Sequence, residues 1–224
     1  MQKIIFSQAQ DALPPLLDVI HIKNLNLENA ILVAIGREGV GFASVLANKL
    51  KVPMAFLFTQ IIPSPLNPEC PVAVVSEDME IVINEELVSA FNISLDYVYG
   101  EAQRQYEEAI LPARYQLRKG EGISSFAGKD ILLFDLGIET GLRIGVAIKT
   151  CMNLKAKSIC VLAPVMPKNI YEFLSEICDD VCCPYPLENY VSTTHYFPTL
   201  QPIDDESFEE ILSQTTTKET NATH

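Results

Sequence analysis

Positive charge is scarce in this chain of 224 residues: 16 Lys and Arg stand against 29 Asp and Glu, a formal net charge of −13. Such a surface repels a phosphate backbone and an anionic membrane alike, so neither nucleic acid nor membrane is expected as a partner. A small anion is not excluded, because a local site needs only backbone amides and one or two cations. Long apolar runs are also missing. None approaches the ~20 residues of a membrane span, and the opening MQKIIFSQAQ has no basic stretch followed by an apolar core. The expectation is a soluble, cytoplasmic protein. Zinc-knuckle spacing is absent as well. Cys70, Cys151, Cys160, Cys178, Cys182 and Cys183 lie mostly in apolar sequence such as SICVLAP and DDVCCPYP, and read as buried thiols. Cys178, Cys182 and Cys183 are the one cluster that a metal reading could use, but the nearest histidine is His195, and no metal ligand is assigned.

What is present has the composition of a globular protein. Hydrophobic residues make up 48% and charged residues 20%, and the mean hydropathy is +0.17, which excludes disorder over most of the length. One domain is expected over residues 1–212, followed by a disordered polar tail over residues 213–224.

The apolar pattern predicts the elements. A short strand is expected around Lys3 to Phe6, then a helix broken near Pro14 and Pro15 that continues through Leu16 to Ile22. AILVAIG at 30–36 reads as a buried strand, followed by a turn, REGVG, and a helix. VPMAFLF reads as a second buried strand, and the proline-rich IIPSPLNPECP connects it to a hairpin formed by PVAVV and EIVI. Asn84 is a candidate helix cap, as is Ser94 or Asp96 for a longer helix through Tyr106 to Ile110, and Pro112 should end or kink that longer helix. Residues 113–130 are basic, contain glycine and are weakly periodic, so a mobile loop is expected there. ILLFD and SICVLAPV are further strands, each feeding a helix, the second started by Pro167 and Lys168. Three such units imply a parallel sheet with right-handed crossovers. Residues 181–200 lack a regular pattern, and IDDESFEEILS forms a last helix.

The segment ILLFDLGIETGLR, residues 131–143, carries the most chemistry. A carboxylate at the carboxyl end of a buried parallel strand faces the crevice in which open α/β sheets bind ligands, and Asp135 has that position. Thr140 and Gly141 stand where a helix begins, so free amides, the helix dipole and a hydroxyl can converge on a phosphate. A carboxylate for sugar hydroxyls and an amide nest for phosphate, five residues apart, suit a ribose 5-phosphate. The bland alternative is a turn cap at Asp135 and close packing at Gly141.

ILLFDLGIETG resembles the PRPP-binding motif of type I phosphoribosyltransferases: a hydrophobic strand, two acidic residues, a spacer and Thr-Gly. AIGREGVGFA, SPLNPECPVAVVSED and the stretch from VLAPVMP to DDESFEEIL resemble successive segments of a bacterial group within that family, so the likeness runs from about Phe6 to Leu212. It implies a phosphoribosyltransferase-like α/β fold, with a central, mainly parallel sheet flanked by helices and a small hood from the chain ends. It also implies a glycosyltransferase of nucleotide metabolism, with PRPP or a nucleotide-like small molecule as ligand and an acceptor that the sequence does not reveal. Asp135 becomes the catalytic residue. Gly137, Ile138, Glu139, Thr140 and Gly141, with Arg143, would hold the 5-phosphate; Arg37, Glu38 and Gly39 would hold pyrophosphate; Arg114, Arg118 and Lys119 would belong to a closing loop. A homodimer is left open.

Four positions depart from the pattern. Leu136 replaces the second acid, leaving Asp135 alone for the ribose hydroxyls and any Mg²⁺. Arg143 replaces a hydroxyl residue, Thr59 and Gln60 replace a basic pair, and Gln8 and Ala9 stand near an expected Asp-Arg. Removing one electrostatic group from such a site commonly costs about 10²- to 10³-fold in rate. A protein that keeps the fold for a regulatory or scaffold role is therefore the competing expectation to a working transferase.

Overall fold

A computed structural model describes residues 4–123 and 125–221, the side chains of 214–221 excepted. Residues 4–6 are unpaired as strand, and Lys3 lies outside the described residues. The first helix, α1 (Leu13–Lys23), is not broken at Pro14 and Pro15. It carries them in its first turn, where the missing N–H groups would have had no intrahelical partner.

The centre of the molecule is a five-stranded sheet in the order β2 (Met54–Phe56), β1 (Ala30–Ala34), β6 (Asp130–Phe134), β7 (Ser158–Leu162), β9 (Asp180–Cys182). Every neighbouring pair is parallel, and β1 and β6 are buried at every residue. Alternation divides their side chains between two cores. Leu32, Ala34, Leu132, Phe134 and Leu162 face one core, together with α2 (Val40–Leu50); Ile31, Val33, Ile131, Leu133 and Val161 face the other, together with α6 (Leu142–Asn153). Strands covered on both faces have to be apolar throughout, hence the continuous runs in the sequence. The same alternation separates the adjacent cysteines. Cys182 faces Cys160 across 3.9 Å, while Cys183 turns to the opposite core, its Sγ against the Pro164 carbonyl. From β1 the chain moves outward to β2, and it returns to β6 on the other side. The loops after β1 and β6 therefore part to opposite faces and open a crevice at the carboxyl ends of these strands.

A second, antiparallel sheet stands beside this crevice. Its central strand, β4 (Asn67–Ser76), pairs with β5 (Ile81–Ile83), the expected hairpin, and also with β3 (Thr59–Ser64), which begins in the segment expected to be a mere connection. Register shifts at Ile62, Pro63 and Ser64 accommodate the one proline of this edge strand, Pro63. Asn84 caps α3 (Glu85–Ala90), and Ser94 caps α4 (Leu95–Gln105).

Pro112 does not end that second helix. A π-helical turn over Tyr106–Ile110 leads into α5 (Leu111–Arg118), with Pro112 in its first turn; the wider turn accommodates a residue that cannot donate a backbone hydrogen bond. Residues 113–118 are thus helix rather than mobile loop. The reason is Glu77, whose carboxylate is fully buried and accepts hydrogen bonds from the N–H groups of Phe58 and Ile123. Arg118 donates to the same carboxylate and lies over the Phe58 ring, and Arg114 Nε is 3.8 Å away. Arg114 also donates to the Tyr106 hydroxyl and the Gly120 carbonyl.

The remaining elements close the molecule. A small parallel pair, β8 (Val165–Pro167) and β10 (Tyr185–Leu187), flanks α7 (Lys168–Ile177), and α8 (Thr193–Tyr196) follows. The chain ends meet, as a hood built from both of them requires: the Phe6 amide donates to the Tyr196 carbonyl, and the Phe6 and Phe197 rings stack at 4.9 Å. The last helix, α9 (Asp205–Asn221), includes residues 213–221, which were expected to form a tail; residues 222–224 lie outside the description.

Removing the charge of Glu77 leaves two partly buried guanidinium groups without their counter-ion. The Glu77→Gln variant should lose about 2–4 kcal/mol in chemical denaturation at neutral pH. A loss below about 0.5 kcal/mol, the scale of a surface pair, would show that this carboxylate does not fix α5.

Candidate functional site

Asp135 is the first residue beyond β6, between two parallel neighbours. Its N–H donates to the Leu162 carbonyl of β7, and the Phe134 carbonyl accepts from the Ile35 N–H at the end of β1. The backbone is therefore fixed on both sides, and the side chain turns toward the crevice at only 8% exposure. Gly36 permits this. A methyl group there would lie 2.9 Å from Asp135 Oδ1, so only glycine lets the loop after β1 come so close. Burial pushes the Asp135 carboxyl up to about 6, with Glu38 adding to the rise; Arg143 and the amides of Gly137 and Leu136 oppose it. Arg143 Nη1 lies 4.0 Å from Asp135 Oδ2.

The loop after Asp135 is pinned by side chains that go to opposite sides of the sheet. Leu136 is buried in the core of α2, and Ile138 in the core of α6. Between them, Gly137 is covered by Thr193 of α8, whose hydroxyl donates to the Gly137 carbonyl at 3.2 Å. A methyl group on Gly137 would come within 2.4 Å of that hydroxyl. Glu139 accepts from the Thr193 N–H at 2.7 Å, so its carboxylate holds the cover in place. Thr140 Oγ1 accepts from the Leu142 N–H, and Gly141, with φ +78°, turns the chain into α6. The N–H groups of Glu139, Thr140 and Gly141 donate to no described residue. Amides without a protein partner at a helix start are the kind of group to which an anion can bind.

These features border one cavity of about 300 Å³. Asp135, Gly137, Ile138, Glu139, Thr140, Gly141 and Arg143 line it, as do Glu38 and Gly39 from the loop after β1. Of the residues assigned to the ligand site from the sequence, Arg37 is the exception. Its guanidinium turns away to the start of α9, where it donates to the Ile203 carbonyl, pairs with Asp205 and lies 4.7 Å from the centre of the Phe208 ring. Arg114 and Arg118 are held at Glu77, and Thr59 and Gln60 pair with Ser76 and Val75 in the hairpin.

The other walls escaped sequence reasoning. Ile61, Pro71 and Val74 come from β3 and β4, and Thr193, Thr194 and Leu200 come from the segment without periodicity. Ser192 followed by two threonines was the available signal. Ser192 does cap α8, accepting from the His195 N–H, but a cap does not reveal which loop the helix will cover.

No family model matches the chain. Over 162 residues it is 22% identical to a curated protein of Mycobacterium tuberculosis, present in strains H37Rv and CDC 1551, named "putative phosphoribosyl transferase". The match covers 72% of this chain and 36% of the relative, so the chain spans about a third of that protein's length. The crystal structure of TT1426 from Thermus thermophilus superposes with a TM-score of 0.74 at 22% identity, over 94% of this chain and 98% of that one. A hypoxanthine phosphoribosyltransferase from Staphylococcus aureus is more distant, with a TM-score of 0.48 at 13% identity over 91% of this chain and 92% of its own. The sequence likeness relates the chain to phosphoribosyl transferases, and the Thermus structure shares its fold over nearly the full length.

The burial of Asp135 has a pH signature. In the folded protein it takes up its proton near pH 6, but in the unfolded chain only near 3.8, so this group favours the fold at low pH and that contribution is lost as pH rises through about 6. Asp135→Asn should therefore stabilise the protein at pH 8 by up to about 3 kcal/mol, an upper bound set by the size of the shift. The gain should shrink between pH 6 and pH 4. Thermal melts of both proteins across this range check it; a difference independent of pH would show that the carboxyl is not buried in this way.

Proposed function

We propose that the chain binds a 5-phosphorylated ribose, as PRPP or as a nucleoside 5-phosphate, in the cavity at the ends of β1 and β6. The observation that carries the reading is that a buried carboxylate and, on the same short loop, three residues whose amides donate to no described residue line one cavity. The phosphate would accept from the N–H groups of Glu139, Thr140 and Gly141, where the dipole of α6 favours negative charge. Asp135, ionised above about pH 6, would accept from the ribose hydroxyls. Arg143, one third exposed and already beside Asp135, would reach phosphate or hydroxyl oxygens. The hairpin residues Ile61, Pro71 and Val74 give an apolar wall suited to a flat base.

Transfer of the ribosyl group would break the bond between carbon 1 and pyrophosphate, building positive charge on the sugar and negative charge on the leaving group. The chain keeps little to stabilise the leaving group. Arg37 is committed to α9, and Leu136 is packed in the core. Mg²⁺ does not fit the residues present in the expected way, because the carboxylate at the strand end already faces a guanidinium and Leu136 stands where the second acid is expected. These features favour the second reading, in which the fold and half of the site serve a regulatory or scaffold role without turnover.

Calorimetric titration of the purified chain with nucleotides tests the site. Gly141→Val forces a β-branched residue into a positive φ, with the Ile170 methyl 3.4 Å from the new Cβ, and should abolish binding. Asp135→Ala removes the ribose contact, leaves the amides of residues 139–141 in place and should weaken binding by about tenfold, the lower end of the scale of one hydrogen bond to a charged group. No heat with any 5-phosphorylated ribose at millimolar concentration, from a protein shown by its melt to be folded, would overturn the reading.

A further inference from the structure

The charges around the cavity are unevenly matched. Arg143 is the one cation among the described residues that line it, against the carboxylates of Glu38, Asp135 and Glu139. Glu139 is occupied by the Thr193 amide, and Asp135 by Arg143 and two backbone amides. Glu38 is exposed on the loop after β1, and its charge is felt at Asp135. The cavity thus has two unlike ends. At the start of α6 three amides can take an anion, whereas at the loop after β1 stands a carboxylate whose neighbouring arginine points elsewhere.

We infer that the cavity selects a ribose bearing a single phosphate, and that Glu38 is the residue that excludes a second anionic group. The inference rests on the ribose 5-phosphate reading and narrows its ligand. A ribose with a 5-phosphate and a diphosphate on carbon 1 has anionic groups at both ends. Whichever of them occupies the amides, the other is directed across the cavity toward Glu38. A second anionic group brought toward Glu38 is repelled by its charge, and like-charge contacts of this kind are an effective way of rejecting a competing ligand. A ribose 5-phosphate, or a nucleoside 5-monophosphate, brings only neutral groups to that end. Its hydroxyls can donate to Asp135, and none of its groups needs Glu38. Arg143 supplies positive charge beside Asp135 without a metal ion, so a divalent cation adds nothing to the binding of such a ligand.

The test is a pair of titrations, ribose 5-phosphate and PRPP, without divalent cation, on the unmodified chain and on Glu38→Gln. The unmodified chain should bind ribose 5-phosphate at least about tenfold more tightly than PRPP. Glu38→Gln keeps the size of the side chain, removes its charge and lies at an exposed position, so the fold should be retained. It should strengthen PRPP by about tenfold and leave ribose 5-phosphate within about threefold. Adding Mg²⁺ should leave ribose 5-phosphate binding unchanged. PRPP binding as tightly as ribose 5-phosphate to the unmodified chain, or a preference that Glu38→Gln does not alter, would overturn the selectivity while leaving the ribose 5-phosphate site standing. Binding of neither ligand to the unmodified chain would overturn both.

Discussion

A carboxylate held where the central strand ends, with almost no access to water, constrains everything near it. Asp135 is fixed by backbone hydrogen bonds to both neighbouring strands, and the sheet leaves it no route to solvent except the crevice. Its charge must therefore be balanced locally. Arg143, in the first turn of α6, supplies the opposite charge, and the amides of Leu136 and Gly137 supply partial ones. Gly36 has to be glycine so that the first loop can close against it. The crevice, the amide nest and the apolar hairpin are then arranged around a group whose own solvation was given up on folding.

Three other arginines of the chain go to the scaffold. Arg37 joins α9 to the sheet through Asp205 and the Phe208 ring. Arg114 and Arg118 join α5 to the hairpin through Glu77. In a protein with a formal charge of −13, each arginine used in this way is one fewer at the cavity. The lining consequently carries a single guanidinium among three carboxylates. A site of this kind can still hold a phosphate, because the backbone amides do so without side-chain charge. It is poorly suited to stabilising a departing pyrophosphate.

Much of this was legible in the sequence, and the limits are physical. The strands with both faces covered announced themselves as apolar runs, and the change of period across GIETG placed Asp135 and Gly141 correctly. Contacts between distant segments were not legible. Arginines 114 and 118 looked like part of a solvated loop because their partner, Glu77, lies about 40 positions earlier, and a buried acid has no signature that sets it apart from an exposed one. Arg37 was read from its neighbours, but its side chain follows Asp205. The first strand of the antiparallel sheet, β3, was hidden in a proline-rich segment, although an edge strand tolerates its Pro63. Thr193 covers the loop 56 positions before it in the chain, and no local periodicity marks such a pairing.

The central claim is that the backbone amides after Asp135, rather than the loop containing Arg37, receive the phosphate. Amide shift mapping in solution during a titration with ribose 5-phosphate tests this most directly. The account predicts that the N–H signals of Glu139, Thr140 and Gly141 move first and furthest, downfield as they come to donate to an anion, with those of Arg37 and Gly39 changing little. Saturating shifts centred on the loop after β1, with the signals of residues 139–141 unmoved, would contradict it.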